Sequence, residues 1–271
     1  MLMKTVYARV PALACTFAIL GALAGCAAPG ARAAPAVSHV VDARADAQLR
    51  RMTSYLSGLK SFRFKADVTY DDYLVETQKV QLAKRVTVEV QRPNRARGVV
   101  DGDVENKRYW YDGKQVTLLD VDHAQYSTAD VPDTIDATLD VMADKYGMVL
   151  PLAELIAAQS YAWLTNNVQS ATYVGQGRVG DAMCHHLAYE QETLDWQIWI
   201  DAGEPALPRK LLICYKQLDG CPQYEATFTN WEPSATLNDA DFTATLPKDA
   251  VRVELGPPQK TVGTGTAPND R

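Results

Sequence analysis

The side chains equipped for chemistry are few. Two histidines adjoin at His185-His186, and a third, His123, ends the run Asp120-Val121-Asp122-His123 beside two carboxylates. Neighbours in a strand point to opposite faces, so His185 and His186 cannot chelate one ion together in a regular strand. A zinc site needs three or four placed ligands, and the only other histidine is His39, in an Ala/Pro-rich stretch. One imidazole hydrogen-bonded inside a fold and one outside accounts for the pair without a metal. The Asp120–His123 run would serve hydrolysis only with a nucleophile and an orienting partner. Neither a Gly-x-Ser-x-Gly elbow nor a phosphate-cradling glycine loop is present, and Gly175-Gln176-Gly177 reads as a bend in a strand. A solvated turn explains Asp120–His123, so no catalytic residue, metal or cofactor is assigned and a non-enzymatic role leads. Arg92, Arg95 and Arg97 could meet a phosphate or headgroup; the plainer reading is charge that guards a sheet edge.

The thiols carry the remaining chemistry. Cys214 and Cys221 flank Gln217-Leu218-Asp219-Gly220, which reads as a hairpin tip, so a cross-strand Cys214–Cys221 disulfide is open to them; Cys184 would then be a small buried thiol. Without a Cys-x-x-Cys pair a redox motif is not indicated. Near the start, Lys4 and Arg9 precede an uncharged run from Val10 to Leu23. A basic start, an apolar centre and a small-residue exit make a secretory signal, and the run is short for a span, which takes about 20 residues. Its last four residues, Leu23-Ala24-Gly25-Cys26, resemble the lipobox of bacterial lipoproteins. That resemblance implies acylation of the Cys26 thiol, removal of residues 1–25, acylation of the new amino terminus and stable anchoring by several chains. Ala27 follows where an Asp would indicate inner-membrane retention, so the implied address is the outer membrane, facing the periplasm. The alternative is an ordinary signal peptide cut nearby, for example after Ala34, with Cys26 discarded.

Processing at Cys26 removes Lys4 and Arg9 but no acid, so 25 basic residues face 33 acidic ones and the net charge is −8. An acidic surface argues against nucleic acid and against attraction to anionic headgroups. The periplasm permits disulfides. Residues 26–41 are mostly Ala, Pro and Gly and read as a flexible tether; residues 256–271 lack apolar periodicity and read as a disordered tail.

Between them the periodicity changes twice. Asp42 to Leu59 carries Leu49, Met52, Leu56 and Leu59 at helical spacing. Phe62 to Tyr70 and Val80 to Val90 alternate, the second with a break near Ala83-Lys84, and Ala96 to Val100 follows the Arg92–Arg95 turn. Asp112-Gly113 between two β-prone runs predicts a type I′ hairpin. Residues 130–169 hold a helical insert: Thr134 to Tyr146, a second helix opened by Pro151 and a short third around Tyr161, Trp163 and Leu164. From Thr172 to Trp231 five strands form a meander in which Trp196, Ile198 and Ile200 face one way and Asp195, Gln197 and Trp199 the other. The fold class is α+β: a curved antiparallel half-barrel of about 9–11 strands over residues 42–255, its apolar face capped by the helices. Whether the interior is filled by side chains or left as a cavity is not set by periodicity. Trp110, Trp163, Trp196, Tyr161 and Tyr215 suit either, while Met52, Met142 and Met148 suit an adaptable binding surface.

Several runs carry a resemblance over residues 45–255. Cys184-His185-His186-Leu187, Asp195 to Ile200, Leu207 to Leu211, Arg92 to Arg95 and Tyr111 to Lys114 look like the signature of a family of predicted periplasmic proteins known only as a domain of unknown function. That family is in turn similar to the LolA/LolB carriers of outer-membrane lipoproteins, which implies an unclosed barrel around a cavity for acyl chains. The function so implied is an outer-membrane lipoprotein that binds a lipid, lipoprotein acyl chains or another hydrophobic ligand, with Phe64, Val88, Trp196, Ile198, Leu211 and Ile213 as lining. The alternative is a structural or docking lipoprotein with a filled core and an envelope protein as partner.

Overall fold

The computed structural model describes residues 40–75, 78–148, 150 and 152–256. Cys26, His39, Pro151, the signal segment 1–25, nearly all of the tether and all of the tail but Gly256 lie outside them. Helix α1 (Ala43–Gly58) leads into strands β1 (Ser61–Val75), β2 (Gln78–Gln91), β3 (Arg95–Gly102), β4 (Asn106–Tyr111), β5 (Gln115–Asp120) and β6 (Gln125–Asp130). Helices α2 (Ile135–Tyr146), α3 (Ala153–Ile156) and α4 (Ser160–Thr165) follow. Strands β7 (Ser170–Val179), β8 (Ala182–Glu190), β9 (Leu194–Asp201), β10 (Pro208–Tyr215) and β11 (Gln223–Glu232) form the meander, and a short β12 (Val251–Arg252) ends the described chain.

All twelve strands make one sheet in the order β12-β6-β5-β4-β3-β2-β1-β11-β10-β9-β8-β7. Every pairing is antiparallel except β12 on β6. The sheet does not close: β7 and β12 are its ends. The break in alternation at Ala83-Lys84 is one of residue type and not of the backbone. β2 runs through it, with Ala83 opposite Thr69 and Lys84 opposite Val68. The hairpin between β4 and β5 is displaced by one residue from the Asp-Gly expectation. Tyr111 pairs with Val116, only Gly113 of the pair has a positive φ, and the Asp112 carboxylate accepts the Lys114 and Gln115 amides. A type I′ turn needs positive φ at both central residues; here Asp112 is instead drawn into an Asx-type cap of the loop. Val41, expected in the tether, bridges to Ala171 at the β7 edge.

Helix α1 is capped by Asp42, whose carboxylate accepts the Arg44 amide at 2.8 Å. Its stripe of Ala45, Leu49, Met52 and Leu56 is fully buried. The stripe packs toward β7, β8 and β9, and the helix also meets α3 and α4. Beneath it the inward residues of the meander, Leu187, Trp196, Ile198, Leu211 and Ile213, are almost inaccessible, and Tyr189 stacks on Trp196 with centroids 3.9 Å apart. Phe64 meets Phe228 edge-on at 5.6 Å and Trp231 at 4.6 Å. This half of the interior is filled. On the opposite face, Glu89 is salt-bridged to Arg63 at 2.7 Å and Arg97 at 3.0 Å. Arg95 pairs with Asp239 in the segment that returns toward β12. The arginine group is therefore largely occupied by carboxylates, with Arg92 donating to the Ala157 carbonyl.

Candidate ligand cavity

The other half of the interior is roofed by α2. Thr134 caps that helix, its hydroxyl accepting the Ala137 amide; Gly147 ends it in the left-handed conformation at φ 65°. Ile135, Thr138, Leu139 and Met142 form one face. Between this face and the sheet lies a cavity of about 470 Å³, within the size range of small-molecule sites. Its wall is the inward side of β2 to β5, including Val86, Val88, Val100, Tyr109 and Val116, and it is completed by Met148, Leu150 and Ile156. Tyr215 of β10 and Tyr224 of β11 line it as well. On a flat sheet β4 and β10 would stand about 24 Å apart, five strand spacings. Curvature brings them round one space.

The two ends of the cavity differ. Toward Ile135, Tyr111 and Val116 it is apolar. At the other end, where β1 finishes and β2 begins, stand Tyr70, Lys84, Glu105, Lys107 and Gln223. The Glu105 carboxylate accepts from Lys84 Nζ at 2.6 Å and from Lys107 Nζ at 2.9 Å. Burial alone would raise the Glu105 pKa, but the two lysines outweigh it and hold the carboxyl below its usual range. Tyr109 and Tyr224 are pushed well above the ordinary tyrosine pKa by burial, so both are neutral phenols at physiological pH. A disulfide joins Cys214 to Cys221 across a Cα–Cα distance of 5.6 Å, a normal separation. It closes the turn between β10 and β11, beside Tyr215, Pro222 and Gln223 of this rim. Cys184 is a free buried thiol.

Of the six residues marked as lining by the sequence, Val88 borders this cavity. Phe64, Trp196, Ile198, Leu211 and Ile213 lie in the filled half, on the predicted face but under the aromatic cluster or α1. Strand alternation reports the face of a residue and not what covers it. Of the aromatics and methionines left open, Trp110, Tyr215, Met142 and Met148 line the cavity, while Met52 and Trp196 are core. Lys84, Lys107, Tyr109 and Tyr224 were not singled out. The signal for Lys84 was the break in the β2 alternation: a lysine on the face that otherwise carries Val86, Val88 and Val90.

The histidines stand elsewhere. His185 hydrogen-bonds with Tyr173 at 2.8 Å, and its pKa is lowered by burial and by Arg51. His186, on the other face, hydrogen-bonds with Gln197 and stacks on Trp199. His123 is exposed and pairs with Asp120 at 3.0 Å. Among the described residues no group of three or more His, Cys, Asp or Glu is placed to hold a metal, and no helix is long and apolar enough to cross a membrane.

The profile of one protein family, described as "Predicted periplasmic protein (DUF2092)", matches residues 45–256. No curated protein sequence matches the chain. Among solved structures, the lipoprotein LppX of Mycobacterium tuberculosis is similar with a TM-score of 0.45 and 14% identity, over 73% of this chain and 100% of that one. LprF from Mycobacterium bovis gives 0.44 and 15% over 78% and 100%. A LolA superfamily protein from Nitrosomonas europaea gives 0.35 and 9% over 74% and 97%.

Proposed function

The chain belongs to the DUF2092 family of predicted periplasmic proteins, and from that premise we propose that it binds a lipid or another hydrophobic ligand beneath α2. The observation that carries this reading is the cavity of about 470 Å³, bounded mainly by apolar side chains, in a sheet whose other half is packed solid. Removing acyl surface from water there would drive binding at about 25 cal/mol per Å². The role is non-catalytic: His185 and His186 are engaged by Tyr173 and Gln197, and His123 is exposed and paired with Asp120. Signal removal after residue 25, acyl chains on Cys26 and a tether over residues 26–41 would hold the domain near the outer membrane, within reach of lipid or lipoprotein acyl chains.

Native mass spectrometry of the full-length product, extracted in mild detergent, tests both halves. The expected spectrum shows acyl mass on a chain that begins at Cys26 and a bound lipid released on activation. A chain without acyl mass overturns the anchor. The absence of bound lipid, together with no binding of a fluorescent fatty acid, overturns the carrier reading and favours a docking protein with a protein partner.

A further inference from the structure

We infer that the ligand is an amphiphile with an anionic head, its oxyanion held by Lys84 and Lys107 at the polar end of the cavity and its chain running under α2. This rests on the ligand-binding reading above and narrows it to a chemical class.

Lys84 and Lys107 occupy inward positions. Lys84 shares its face of β2 with Val86 and Val88, and Lys107 shares its face of β4 with Tyr109 and Tyr111, as strand alternation requires. Turning an ammonium into an apolar wall is costly unless it is paired. Here the pairing is incomplete in charge. Both lysines donate to the single carboxylate of Glu105. Two other acids are near: Asp71 is engaged by Lys79 at 3.0 Å and by the Gln223 backbone amide at 3.0 Å, and Asp120, opposite Lys107 across β4 and β5, is engaged by the His123 ring at 3.0 Å. One positive charge is therefore in excess between Lys84, Lys107 and Glu105. The Lys84 side chain is only 16% exposed, so that charge acts where water screens it weakly.

The surroundings offer donors to an oxyanion. The Lys84 ammonium stands 4.7 Å from the centre of the Tyr70 ring and 5.9 Å from that of Tyr224. Tyr224 is 6% exposed and borders the cavity. Burial keeps this phenol protonated, so it can donate to a ligand oxygen at this end. From there the apolar wall of Val86, Val88, Val100, Leu139 and Met142 leads away under the roof. A carboxylate from a free fatty acid and a phosphate from a lipid share the chemistry this end recognises.

The test compares amphiphiles with one chain length and different heads: dodecanoate, dodecyl phosphate, dodecyl maltoside and dodecyltrimethylammonium. Each is titrated below its micellar concentration into the mature protein and into Lys84→Met and Lys107→Met, by displacement of a fluorescent probe. One charge-assisted hydrogen bond is expected to favour at least one of the two anionic heads over the maltoside about tenfold or more. The preference should shrink as salt is raised. Either lysine variant should lose it while still binding the maltoside, which also shows that the variant is folded. The stronger of the two anions identifies the source as carboxylate or phosphate. Equal affinity for all four heads in the wild type, or a preference for the cation, overturns this inference and leaves the cavity reading standing. Binding of none of them overturns both. The wild-type series decides even where a variant fails to fold.

Discussion

Val88→Trp is expected to weaken binding of a dodecyl amphiphile about a hundredfold while leaving the protein folded. Val88 lies on the inward face of β2, borders the cavity and is only half-buried. An indole there would extend into space that no side chain fills, so the usual penalty for overpacking a dense core does not apply. It would displace the equivalent of about four methylenes of ligand, at roughly 0.8 kcal/mol each, or about 3 kcal/mol in total. Probe displacement gives the affinity, and urea unfolding gives the stability. Undiminished affinity in a stable Val88→Trp protein would place the ligand somewhere else.

Glu154→Gln should stabilise the protein by about 3 kcal/mol at pH 8 and by almost nothing at pH 4.5. Glu154 is 3% exposed on α3, and no side chain among the described residues pairs with its carboxyl. Burial pushes its pKa from 4.5 up to about 7. Between those values the folded protein keeps a proton that the unfolded chain has lost, so stability falls as pH rises through that window. Above pH 7 the folded state carries a buried carboxylate at its full cost, which follows from a shift of about 2.5 units at 1.36 kcal/mol each. Glutamine stays neutral throughout and removes this slope. The check is urea unfolding of both proteins from pH 4.5 to 8. Curves that run parallel would mean that the Glu154 carboxyl reaches water or a cation when it ionises.

These effects sit where the sequence was least legible. Local order could be read directly: the stripe Leu49, Met52 and Leu56 became the buried face of α1, and the Trp196, Ile198 and Ile200 alternation became the inward face of β9. The strands missed were β6, whose Gln125–Asp130 is polar, and the two-residue β12. Both lie at one end of the sheet, where burial imposes little pattern. The division of the interior was not legible, because it depends on which strands α1 and α2 cover. Phe64 and Val88 face each other across β1 and β2, yet one is sealed among Phe228 and Trp231 and the other borders the cavity. Glu154 gave no signal either, since a glutamate in a short helix reads as solvated. Lys84 did give one, as an interruption of an apolar face, and its meaning needed Glu105 and Lys107 beside it.

The central claim is that the half of the interior under α2 receives an apolar chain and the half under α1 does not. Intermolecular NOEs between a deuterium-free dodecyl chain and selectively methyl-labelled, otherwise deuterated protein measure this directly. The account predicts cross-peaks to the methyls of Val86, Val88, Val100 and Leu139, and none to those of Ile198, Leu211 or Ile213. Cross-peaks confined to the second group, or none in the presence of saturating ligand, would contradict it.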